Sequence, residues 1–65
     1  MNYYQKFILE ATACNPADID QIEDIMRDAR NGILGNLSKD ELQREARVSY
    51  YVLRVNRGET PTLEL

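Results

Sequence analysis

The chain predicts an all-α fold, a small three-helix domain, on three observations. Apolar residues recur at helical spacing in three separate stretches. Helix-start and helix-stop residues stand between those stretches. The one segment with strand character, residues 48–55, has no second strand to pair with.

The first helix is expected over about 2–14. Tyr4, Phe7, Ile8 and Ala11 fall on one face, with Tyr3 and Cys14 at its edge and Leu9 on the opposite side. Asn15 precedes Pro16, and a residue before proline is pushed out of the helical region.

The second helix follows at once, over about 16–31. The Asn15 side chain can cap it, Pro16 suits a first helical position, and Asp18 and Asp20 face the positive end of the helix dipole. Ile19, Ile22, Ile25, Met26 and Ala29 form its apolar stripe, and Ile33 beyond the stop falls in line with them. Asn31-Gly32 supplies the stop, since glycine accepts the left-handed conformation that ends many helices. Ile33, Leu34 and Leu37 make the following connection apolar for a loop, and some of them should plug one end of the core.

Ser38-Lys39-Asp40-Glu41 opens the third helix, over about 39–57. The Ser38 hydroxyl and the Glu41 carboxylate can each take the other residue's backbone N–H. Val48–Val55 is rich in β-branched and aromatic residues, which suit strands. Helix is preferred because Asp40–Arg47 is strongly helix-forming and no turn signal separates the two stretches. Gly58 is the stop. Residues 1–58 thus make one domain, and 59–65, with Pro61, carry no helical pattern and read as a flexible tail. The predicted core is Tyr4, Phe7, Ile8, Ala11, Ile19, Ile22, Ile25, Met26, Ala29, Leu37, Leu42, Ala46, Ser49 and Leu53.

A chain of 65 residues buries only about 60% of its unfolded surface, so stability is marginal without help. With one cysteine, Cys14, an intramolecular disulfide is impossible, and with no histidine a zinc site lacks ligands. Completion of the core by dimerisation, or by a partner protein, is the remaining support. Cys14 itself reads as a small buried residue rather than a reactive thiol.

The net charge is −3, from eight basic and eleven acidic residues. That balance gives no bulk attraction to nucleic acid or anionic membrane. Residues 38–57 are the exception, with five basic and three acidic side chains. No run of about 18 apolar residues exists, so no membrane span is expected. The lone cysteine suits a reducing compartment, and the expected location is cytoplasmic.

Helix three carries the candidate site. Val48, Val52 and Val55 extend its apolar arc, together with Leu42, Ala46, Ser49 and Leu53, to about half the circumference, interrupted by Glu45 and Asn56. An arc that wide can meet two neighbours at once. The other half collects Arg47, Tyr50, Tyr51 and Arg54, residue types enriched where proteins grip one another. The expected function is a non-enzymatic interaction module or regulator. It would act as a homodimer or bind a larger protein through Arg47, Val48, Tyr50, Tyr51, Val52, Arg54 and Val55.

The alternative is a nucleic-acid-binding transcriptional regulator, with arginines on phosphate and tyrosines stacked on bases. Against it stand the acidic chain, the acidic first turn of helix three, and a 32–37 connection longer than a helix-turn-helix allows. A second candidate surface is the acidic stripe Asp20, Asp24 and Asp28 on helix two, suited to a basic partner. As a metal site it would fall short of the six to eight oxygens calcium wants. No catalytic set, cofactor motif or small-molecule substrate is expected, and a unit this small has little room for a pocket of about 300 Å³.

Overall fold

A computed structural model describes residues 1–63. The fold is all-α: α1 spans Tyr3–Thr12, α2 Ile19–Ala29 and α3 Lys39–Asn56, with a single 3₁₀ turn, Pro16–Asp18, leading into α2. Each helix packs on both others.

Local chemistry explains most of the boundaries. Asn2 caps α1: its side chain accepts from the Gln5 N–H at 2.9 Å, while Gln5 Oε1 accepts from the Asn2 N–H at 3.2 Å. This reciprocal box of Asn and Gln was readable in the sequence and adds to the predicted boundaries. The helix stops at Thr12, two residues short of Cys14. Ala13 takes the left-handed conformation, φ +53°, which is unusual for a residue with a Cβ. Thr12 holds the turn: its hydroxyl donates to Ile8 C=O at 2.7 Å and accepts from the Cys14 N–H at 3.2 Å. The turn carries Cys14 inward, where it is buried in the core.

Asn15 accepts from the Ala17 N–H at 3.0 Å, as a cap should. The proline turn winds tightly, so regular α-helix begins only at Ile19. At the far end α2 finishes at Ala29. Asn31 and Gly32 are both left-handed, φ +55° and +82°, and the Gly32 N–H returns to Arg27 C=O at 2.7 Å. Because the helix is already unwinding there, Ala29 is exposed and does not join the core. α3 has the predicted Ser38–Glu41 box, with contacts of 3.1 and 3.2 Å. It runs as helix through Val48–Val55 and stops at Gly58, φ +86°. A lone strand could not have satisfied its backbone there; the helix does so internally.

The core consists of Ile8, Cys14, Ile19, Ile22, Met26, Leu34, Leu42, Ala46 and Leu53. Tyr4, Phe7, Leu9, Ala11, Ile25, Leu37 and Tyr50 pack around it, half-buried. Leu9 belongs here although it sits off the main stripe, because α1 is flanked by two helices and needs a wider arc than one neighbour demands. Leu34 fills the core from the α2–α3 connection, while Ile33 next to it is exposed. Ala46 and Ser49, both small and buried, let the other helices approach the middle of α3.

Polar links fix how the helices lie. Arg57 at the end of α3 meets Asp18 before α2 at 2.7 Å, and Arg30 after α2 meets Glu45 in mid-α3 at 2.6 Å. α2 therefore runs antiparallel to α3. Glu45, an interruption in the apolar arc of the sequence, is there to take Arg30. Glu23 is buried and receives Arg27 Nε and Nη2 at 3.1 and 2.9 Å, and Gln5 Nε2 from α1 at 3.0 Å. Buried polar side-chain atoms all find partners among the described residues. No helix among them is long and apolar enough to cross a membrane.

Candidate partner-binding surface

α3 divides the predicted site residues between two sides. At about 100° per residue, Val48, Val52 and Val55 lie to one side of the buried Ser49–Leu42 line. Tyr50, Arg47 and Arg54 lie on the other, toward α1, and Tyr51 sits at the back between the groups. Val48, Val52 and Val55 are 37, 37 and 43% exposed, a continuous ridge at i, i+4, i+7. Glu41 and Arg44 border the ridge. Arg44 makes no ion pair among the described residues, whereas Arg27, Arg30, Arg54 and Arg57 each do.

On the other side the arginines are anchored. Arg47 Nε donates to Ala11 C=O at 3.2 Å, a bond to one of the carbonyls that α1 leaves open at its C-terminal end. Arg54 Nε donates to Glu59 Oε1 at 2.9 Å, and its guanidinium lies 5.5 Å from the centre of the Tyr50 ring. The Glu59 N–H also returns to Arg54 C=O at 3.1 Å, so the chain beyond α3 folds back along the helix. Pro61, Thr62 and Leu63 then face Ala11, Thr12, Arg47, Tyr50, Tyr51 and Arg54 across an open cleft of about 500 Å³. The sequence left little room for a pocket of that size. It arises because the segment after Gly58 supplies a wall that helix packing alone would not make. The flexible tail expected over 59–65 extends to Glu64 and Leu65, which lie outside the described residues.

The acidic stripe of α2 is exposed at Asp20, Asp24 and Asp28. Asp20 accepts from Gln5 Nε2 at 3.1 Å. Among the described residues no three Cys, Asp or Glu side chains are grouped as a metal ion would require.

Two carboxylates are shifted by their partners. The hydrogen bond from Arg57 holds Asp18 below its ordinary 3.8, against the opposing effect of burial. The Ser38 backbone and side-chain hydrogen bonds hold Glu41 below its ordinary 4.5. Arg57 is raised in turn by Asp18. The three groups make two pairings, Asp18 with Arg57 and Glu41 with Ser38, both at element ends.

Comparison with protein-family models, with curated proteins and with solved structures finds no match. The functional argument therefore rests on the surface itself.

Proposed function

We propose that this chain is a small, non-enzymatic protein–protein interaction module of the cytoplasm. Its contact surface is the valine ridge of α3, and its partner is a second copy. The carrying observation is the exposure of Val48, Val52 and Val55 on a helix whose other aliphatic side chains, Leu42, Ala46 and Leu53, are buried. Removing a valine from water is worth about 1.5–3 kcal/mol if burial is complete, so a ridge of three supports a modest interface.

Geometry and charge favour self-pairing. Laying two α3 helices antiparallel about a point between Tyr51 and Val52 sets Val48 opposite Val55 in the other copy, twice. The helix dipoles then oppose. A larger protein with an apolar groove would use the same ridge. The nucleic-acid reading has less to draw on, because Arg54 and Arg57 are already held by carboxylates.

Sedimentation equilibrium on the wild type and on Val52→Glu tests this. The wild type should dimerise reversibly. The variant should be monomeric, with a melting temperature at low concentration shifted by no more than about 2–4 °C, the equivalent of the roughly 0.5 kcal/mol typical of surface changes. A wild type that stays monomeric at high concentration, or a variant that dimerises equally well, would overturn the reading.

A further inference from the structure

We infer that the cleft between the C-terminal end of α1, the Arg–Tyr side of α3 and the 61–63 segment is a second binding site. Its ligand is an extended peptide segment of another protein carrying a carboxylate side chain. This site lies across α3 from the valine ridge and stands or falls independently of it.

Charge comes first. The chain as a whole is acidic, net −3. Yet among the described residues the cleft is lined by Arg47 and Arg54 and by no carboxylate. Glu59, bonded to Arg54 from outside that lining, neutralises one of the two cations. Among the described residues, two positive charges less one negative leave a net +1, which a single carboxylate balances. A phosphomonoester, carrying about −1.5 to −2 at neutral pH, would overshoot it.

Arg47 is the group that takes the ligand. Its Nε is spent on Ala11 C=O at 3.2 Å, which fixes the direction of the side chain. Its terminal nitrogens make no hydrogen bond among the described residues, and the residue as a whole is half-buried. An arginine held by its Nε presents its outer nitrogens as donors of charge-assisted hydrogen bonds, the strong kind. The molecule already shows the chemistry about two turns further on, where Arg54 holds the Glu59 carboxylate at 2.9 Å beside the Tyr50 ring.

The opposite wall selects a peptide. After the Glu59 N–H, no backbone N–H or C=O of residues 60–63 is hydrogen-bonded among the described residues. Thr62 and Leu63 thus offer main-chain donors and acceptors along the cleft, as an unpaired edge does to an added strand. Tyr50 and Tyr51, both half-buried, supply apolar surface for the side chains next to the carboxylate.

The experiment is a titration of the ¹⁵N-labelled full chain with acetyl-Val-Glu-Val-amide, followed by amide shifts, with Gln and phosphoserine versions of the peptide and a short single-stranded DNA as parallel probes. Saturable shifts are expected at Thr12, Tyr51 and Thr62 with the glutamate peptide. They should weaken at least about ten-fold with the glutamine peptide, and equally in Arg47→Met. Glu59→Gln frees Arg54, raises the charge of the cleft, and should tighten binding about two- to five-fold. That gain cannot come from misfolding. The inference is overturned if the glutamate peptide gives no saturable shift, if the glutamine peptide binds as well, or if Glu59→Gln fails to tighten binding. It is also overturned if the phosphopeptide or the DNA binds more tightly than the glutamate peptide.

Discussion

Leu34 and Ile33 are neighbours in a loop, and the structure assigns them opposite fates. Leu34 is 2% exposed and Ile33 56% exposed. Leu34→Ala truncates a buried isobutyl side chain to a methyl and leaves a cavity under the α2–α3 connection, at a cost of about 3 kcal/mol. A chain of this length has a total stability of about 3–10 kcal/mol, so the loss is a large share of it. At about 4–8 °C per kcal/mol for a domain of this size, the melting temperature should fall by about 12–24 °C. Ile33→Ala should cost no more than about 0.5 kcal/mol and move it by a few degrees. Urea titration gives the cleanest comparison: the midpoint should drop sharply for Leu34→Ala and hardly at all for Ile33→Ala, with unchanged slope in both. Equal losses in the two variants would refute the claim that the connection closes the core through Leu34.

Two further outcomes follow from the polar links. Glu23→Ala strands Arg27 and Gln5 without their shared acceptor and should cost about 1–3 kcal/mol in the same urea assay, whereas Asp24→Ala, on the exposed face, should be near neutral. Asp18 and Glu41 have folded pKa values below their ordinary ones, so their contribution is complete above about pH 4–5 and is lost as pH falls through the depressed values. The melting temperature should decline on that acid limb, and Asp18→Asn together with Glu41→Gln should flatten it.

How much of this was legible follows from the range of the interactions. The Ser38–Glu41 box and Gly58 act within a few residues and mark boundaries where the sequence places them, while Asn15-Pro16 caps a 3₁₀ turn that delays α2 to Ile19. Ala13 carries no such local signal. Its left-handed turn is imposed by Thr12 and by the burial of Cys14, so α1 stops short of its apparent end. Ala29 was placed in the core by a stripe that assumes a full-length helix, and Leu9 was left out by a stripe that assumes one neighbour. The predicted site residues divide in the same way. The valine ridge was visible as excess apolar arc, because exposure on a helix is periodic. The cleft was not, because Arg47–Ala11 and the wall of 61–63 join residues far apart in sequence. The acidic residues of α2 were visible, but the buried acceptor is Glu23, whose burial comes from packing against α1.

The most direct test of the central claim, that α3 self-associates through its valine ridge, is cysteine cross-linking. Cys14 is buried, so a new surface thiol reports alone. Under mild oxidation Val52→Cys should give a covalent dimer in high yield at low protein concentration. Tyr3→Cys and Ile33→Cys, at positions more exposed than Val52, should remain largely monomeric. Equal cross-linking at all three positions, or none at Val52, would contradict the account.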